Sequence, residues 1–223
     1  MKKIFTENFT TSIRADSTKG IPGISELFST GVDCVLISCI SGDNFYLCDP
    51  SDLQKKINPG NHAGLEEILS NFKDKKIIIE IYGKNDKSDE LSGIIKKHSM
   101  SENVLIWTQN SNLMKKIRQK LPDTATAMTP NEFVYLYFLF KTGFLYFKKK
   151  FTADCLISIE SAGISYILNH AMLRELAKRE IFSIALVDST GNQIKRLIDS
   201  GCRGFVLKDA MQFQNVKDIL KPV

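Results

Sequence analysis

What most constrains this chain is a rhythm. Short runs of Ile, Val and Leu without polar alternation, such as KKIIIEIYG, DCVLIS and FSIALV, recur between helix-length amphipathic segments. A strand with one solvated face alternates apolar and polar residues, so unbroken apolar runs point to strands covered on both faces, as in a parallel sheet. Strands are predicted at Thr11–Arg14, Cys34–Ser38, Lys76–Tyr82, Val104–Thr108, Thr124–Ala127, Cys155–Ile159, Phe182–Val187 and Gly204–Leu207. Helices are predicted over Ser25–Thr30 behind Pro22, Gly64–Lys73, Asp86–His98, Ser111–Leu121, Asn131–Phe147, Asn169–Arg179, Thr190–Ser200 (capped by Gly201) and Met211–Leu220.

Eight strands, each followed by a helix, predict an α/β fold of the (β/α)₈ barrel type, one domain over residues 1–223, with the fifth strand the weakest of the set. The competing architecture is an open doubly wound sheet. It calls for a glycine-rich phosphate loop after the first strand, and ADSTKGIPG contains neither G-x-G-x-x-G nor G-x-x-x-x-G-K. In a barrel, chemistry gathers at the C-terminal strand ends. Those ends are Arg14–Asp16, Ser38–Ser41, Glu80–Gly83, Thr108–Asn110, Ser158–Glu160, Asp188, Lys208 and Asp209.

Composition narrows the classes further. At 223 residues and 43% hydrophobic content, one sizeable core is feasible, and no Pro-, Gly- or Ser-rich stretch divides the chain. The N-terminal MKKIFTENFTTSIRAD has no apolar run of signal-peptide length. The longest apolar stretch, Phe133–Phe147, is 15 residues long and is interrupted by Lys141 and Gly143. A spanning helix needs about 20 residues. The expectation is a cytoplasmic protein, at most peripheral to a membrane. The five cysteines, Cys34, Cys39, Cys48, Cys155 and Cys202, sit mostly inside apolar runs, with no pair at zinc-site spacing. They read as buried free thiols in a reducing compartment. A net charge of +5 suits a partner bearing phosphate, and equally a lysine-coated surface with no specific partner.

Several strand ends resemble the glycerophosphodiester phosphodiesterase family. That family has a His-Arg-Gly strand end, a Pro-Glu-Asn-Thr helix start, Gly-x-Asp-x-x-Glu-x-Asp, a His-Asp pair, Glu-x-Lys, Trp-Thr-x-Asn and a closing Gly-x-x-Gly-x-x-Thr-Asp. The frame here reads SIRAD, IPGIS, GVDCVLISC, YLCDP, IIIEIYG, FSIALVDS and GCRGFVLKDA, in order from Thr11 to Leu220. VLIWTQN with Trp107, and KTGFLYF at the end of Asn131–Phe147, resemble the branch of lysophospholipase D enzymes.

The resemblance implies chemistry built on a divalent cation such as Mg or Ca, held by carboxylates, with two histidines for proton transfer and an Arg and a Lys for the phosphate. Matched segment by segment, the first histidine is Ile13 and its Arg is kept as Arg14. The Glu and Asp of the second strand are Leu36 and Ser38. The second histidine is Cys48, with Asp49 kept, while Glu80 remains and the lysine is Tyr82. The closing Thr-Asp reads Leu207 and Lys208. One carboxylate of three is left, too few for a hard cation that wants several oxygen ligands. His62, His98 and His170 lie elsewhere and read as surface or capping residues. No catalytic residue, metal ligand or cofactor is therefore expected. Arg14 and Glu80 are expected to pair, and the alternative is a relic phosphate pocket of Arg14 and Lys208.

The remaining conspicuous feature is FVYLYFLFKTGFLYFKKK, aromatic residues followed by Lys148, Lys149 and Lys150. Rings beside lysines suit a membrane interface or a partner surface, with Phe144, Tyr146, Phe147 and the three lysines as contacts. The plain alternative is an outer barrel helix and a solvated lysine run. Three functions remain open: a non-catalytic binding or scaffold barrel, for an anionic lipid surface, a phosphorylated small molecule or a protein partner; a divergent metal-dependent hydrolase using Asp16, Asp49 and Glu80; and a basic accessory protein of an RNA-containing assembly such as the ribosome.

Overall fold

The computed structural model describes residues 10–42, 44–50, 62–83, 85–160, 168–187 and 191–219. Asp188, Thr190 and Leu220, named above, lie outside them. The strands are β1 (Thr10–Arg14), β2 (Cys34–Ser41), β3 (Phe45–Leu47), β4 (Lys76–Tyr82), β5 (Val104–Thr108), β6 (Ala125–Thr126), β7 (Cys155–Glu160), β8 (Phe182–Val187) and β9 (Gly204–Leu207). The helices are α1 (Gly20–Ser29), α2 (Leu65–Asn71), α3 (Ser88–Lys97), α4 (Ser111–Lys120), α5 (Pro130–Thr142), α6 (His170–Ala177), α7 (Gly191–Asp199) and α8 (Ala210–Val216).

Eight strands run parallel in the order β6-β5-β4-β2-β1-β9-β8-β7, and a bridge from Ala127 to Cys155 joins the two ends of the row. The expected (β/α)₈ barrel is the fold. Its strands are hydrophobic throughout because both faces are covered. Leu36, Ile78, Leu105, Phe182, Ile184 and Val206 fill the lumen. Their sequence neighbours Val35, Ile37, Ile77, Ile79 and Phe205 pack outward with Ile68, Leu91 and Met114 of the helices. Among the described strands only β3 is antiparallel, folded back on β2 through Cys39–Leu47 and Ser41–Phe45 pairs. It was not predicted: three residues are too few to show a period.

The seam beside β6 explains how a two-residue strand closes a barrel. Asp154 Oδ2 accepts from Thr126 N–H at 2.9 Å, and Met128 N–H donates to the Cys155 carbonyl at 2.8 Å. Arg118 of α4 reaches over the same spot. Its guanidinium donates to Thr126 Oγ1 (2.9 Å), the Ala127 carbonyl (3.1 Å), Thr152 Oγ1 (3.0 Å) and both carboxylate oxygens of Glu132. Side chains supply what the short ladder lacks.

Helix α5 begins with a capping box, in which Thr129 and Glu132 satisfy each other's backbone N–H groups, and Pro130 occupies the first turn where no N–H is needed. It stops at Gly143, whose φ of 77° is open to glycine at little cost. The predicted helix Asn131–Phe147 is thus two pieces, α5 and a 3₁₀ turn at Phe144–Phe147. Among the described residues, no helix is long and apolar enough to cross a membrane.

All five cysteines are free and buried. Burial pushes the Cys34 thiol up to about 12, and raises Cys39 and Cys155 as well. A colorimetric thiol titration is therefore expected to show almost no fast reaction in the native protein, and reaction of all five thiols only in denaturant.

Candidate functional site at the mouth of the barrel

Parallel strands put all their C-terminal ends at one rim, and the period of two along each strand decides which side chains look inward. In β4 these are Ile78, Glu80 and Tyr82. In β2 they are Leu36 and Ser38, and in register Ser38 lies opposite Glu80. Arg14 ends β1 opposite Leu36. Four polar side chains from three adjacent strands therefore converge.

Their hydrogen bonds form a closed set. Glu80 Oε2 accepts from Ser38 Oγ–H at 2.8 Å and from an Arg14 Nη2–H at 3.2 Å, while Glu80 Oε1 accepts from the Tyr82 hydroxyl at 2.5 Å. The Glu80 side chain is 5% exposed and that of Arg14 27%, so the guanidinium lies between the carboxylate and solvent. Burial, then the Glu80 carboxylate, push the Tyr82 hydroxyl far above its usual range, so it remains a proton donor at any ordinary pH. The expected Arg14–Glu80 ion pair is present. Ser38 and Tyr82, read from the sequence as strand-end positions where the family's residues are lost, are its hydrogen-bonding companions. The signal was available in the register: Ser38, Glu80 and Tyr82 share a face once β2 and β4 are paired.

The other named positions separate into two groups. Arg14, Asp16, Asp49, Lys208 and Asp209 line a rim cleft of about 510 Å³, floored by apolar groups such as Leu186 and Val206. Two of its acids serve the backbone. Asp16 accepts from Thr18 N–H (2.8 Å) and Thr18 Oγ1–H (2.6 Å), which hold its carboxyl below the usual range, and Asp209 caps α8 through Gln212 N–H at 2.8 Å. Cys48 is buried, and its N–H donates to the Ser38 carbonyl at 2.8 Å. Leu36 is buried in the lumen, whereas Ile13 points the other way, into the layer between strands and helices. Alternation along β1 makes Arg14, not Ile13, the residue that looks into the mouth. Of the histidines, His98 caps the C-terminus of α3, 3.6 Å from Glu66, and His170 opens α6. His62 precedes α2, and none of the three lines the cleft.

A divalent cation does not fit this donor set. Such an ion needs several oxygen ligands with free lone pairs. Glu80 already accepts from three donors, Leu36 is hydrocarbon, and the Arg14 guanidinium supplies the positive charge. Among the described residues, no group of three or more His, Cys, Asp or Glu side chains could hold a metal ion.

No protein-family model matches the sequence. No curated protein matches it either. The fold, in contrast, is shared with many solved structures. A Silicibacter pomeroyi protein described as a glycerophosphoryl diester phosphodiesterase superposes with a TM-score of 0.70 at 8% identity, over 96% of this chain and 95% of that one. A glycerophosphodiester phosphodiesterase from Agrobacterium tumefaciens gives 0.68 at 11% identity, over 94% and 99%. An Oleispira antarctica phosphodiesterase, solved with the product sn-glycerol-3-phosphate, gives 0.66 at 10%, over 95% and 97%. The chain thus has, over nearly its whole length, the barrel fold of glycerophosphodiester phosphodiesterases.

Proposed function

We propose that this protein is a non-catalytic barrel of glycerophosphodiester phosphodiesterase type that works by binding. The observation that carries the reading is the Glu80 carboxylate, engaged by Ser38, Tyr82 and Arg14 where a metal-dependent hydrolase needs open oxygen ligands. Asp16 is engaged by the Thr18 hydroxyl and N–H, and among the described residues no three His, Cys, Asp or Glu side chains are grouped to hold a metal ion, which speaks against the alternative hydrolytic set. The working surface is then placed on the exposed rings and lysines of residues 134–150, as a scaffold peripheral to a partner surface. A panel of glycerophosphodiesters and lysophospholipids, incubated with the protein and Mg²⁺, Ca²⁺ or Mn²⁺, is expected to release no glycerol phosphate or choline above a denatured control. Metal-dependent release that disappears in Glu80→Gln would refute the proposal.

A second reading, a retained anion pocket, is favoured by Arg14 and Lys208 lining one cleft. Because Arg14 is committed to Glu80, crystals soaked in glycerol phosphate are expected to show no density bridging Arg14 and Lys208. Ordered phosphate there would assign the mouth to a phosphorylated small molecule.

A further inference from the structure

We infer that the end of the barrel opposite the mouth is a docking face for an anionic lipid bilayer, so that the molecule rests on its base with the mouth turned to water. The inference rests on the binding-module reading in one respect: the mouth needs no access to lipid.

Topology supplies the orientation. Strands run toward the rim and helices return from it, so everything between the end of a helix and the start of the next strand lies at the base. The segment from Gly143 to Asp154, between α5 and β7, is such a connection. Its 3₁₀ turn is held firmly: Leu145 is buried, and Arg179 donates to the carbonyls of Leu145 (2.5 Å) and Lys148 (2.9 Å). The rings on either side face out, with Tyr146 80% and Phe147 76% exposed. They pack on each other edge to face at 5.5 Å between centroids. The core does not need them, since Leu136, Leu139 and Leu145 already fill the buried side of this element. A rigid display of aromatic groups on solvent, backed by a satisfied core, marks a contact surface.

Charge selects the occupant. No Asp or Glu occurs between Glu132 and Asp154, a stretch that contains Lys141, Lys148, Lys149 and Lys150. Beside the turn, a groove of about 550 Å³ is lined by Tyr146, Lys149, Arg174, Lys178 and Arg179. The single acid in that groove, Glu175, is neutralised by Lys178 at 2.7 Å and Arg179 at 2.6 Å. Lys149 and Arg174 form no ion pair among the described residues. Exposed rings ringed by unpaired cations complement a surface that offers an apolar interior beneath anionic headgroups. The groove beside Tyr146 gives a headgroup phosphate two cations.

Co-sedimentation with phosphatidylcholine vesicles, with and without phosphatidylserine, tests this. The wild type is expected to bind only the serine-containing vesicles. Changing Lys148, Lys149 and Lys150 to Glu is expected to weaken binding about a hundredfold or more, at roughly a factor of five per lysine neutralised. Tyr146→Ser with Phe147→Ser is expected to abolish it, with thermal melting unchanged because all five side chains are exposed. Brominated lipid reads the orientation. The one native tryptophan, Trp107, lies in the lumen and is expected to escape quenching, while the indole introduced by Tyr146→Trp is quenched. Absence of vesicle binding by the wild type, or quenching of Trp107 alone, would overturn the inference. So would single-stranded RNA capture lost in the lysine variant without any lipid binding. These readouts are independent of diester turnover, so failure here leaves the non-catalytic reading to its own assay.

Discussion

Glu80→Ala is expected to lower the unfolding free energy by about 3–5 kcal/mol, the range for removing one partner of a largely buried ion pair. The loss exceeds one contact because three donors lose their acceptor together: Ser38, Tyr82 and the Arg14 guanidinium. Arg14 keeps 27% of its side chain exposed, so water rescues part of its charge and the lower end of the range applies to its share. Glu80→Gln, which retains one acceptor oxygen, is expected to cost less. Combining Arg14→Leu with Glu80→Leu should recover only the Arg14 share of the loss, since Ser38 and Tyr82 still lose their acceptor. Urea denaturation of the four proteins at neutral pH measures the series. Equal stability of Glu80→Ala and wild type would mean that the network contributes nothing.

Arg118→Ala is expected to cost about 3 kcal/mol, the lower end for breaking a largely buried pair, and to loosen one seam of the barrel selectively. Arg118 is only 17% exposed on its side chain and spans α4, β6, α5 and the approach to β7 through a forked set of bonds. A lysine has one point of charge in place of that fork, so Arg118→Lys should not rescue. Hydrogen exchange should quicken first at Thr126, Met128 and Asp154, whose N–H groups close the seam, while β1, β2 and β4 remain protected. Acid should reach the same joint. Burial pulls the Glu132 carboxyl up, but the Arg118, Thr129 and Thr152 hydrogen bonds outweigh it and hold the folded value below the ordinary one. A depressed folded value means stability that is present above the unfolded pKa, near 4.5, and lost as pH falls through the folded one. The acid-induced loss is therefore expected to be smaller in Arg118→Ala than in wild type.

The barrel was legible because its cause is local to each strand. Runs such as KKIIIEIYG have no polar face to expose, and the lumen and helix layers claim alternate residues, as Ile78 and Ile77 do. Seams and turns were less legible. β6 contributes two residues and depends on Asp154 and Arg118, which no window around Thr124–Ala127 contains together. Gly143 could have signalled the break in the aromatic helix, but the apolar pattern runs across it. At the mouth, residue types were readable from the sequence, but not how the side chains bond to one another. That Ser38 and Tyr82 donate to Glu80 depends on the pairing of β2 with β4, residues 42 apart in the case of Ser38 and Glu80. The orientation of Ile13 depended likewise on register. On the base, Lys148–Lys150 stood out in sequence, whereas Arg174, Lys178 and Arg179 joined them only through the placement of α6 beside the 3₁₀ turn.

At the mouth, the Glu80 carboxylate accepts from Ser38, Tyr82 and the Arg14 guanidinium, a set expected to bind no divalent cation. Calorimetric titration with Mg²⁺ and Ca²⁺, paired with melting curves in each ion, tests this expectation most directly. The wild type is expected to show no saturable heat and no rise in melting temperature. A saturable site that stabilises the fold and vanishes in Glu80→Gln would contradict it.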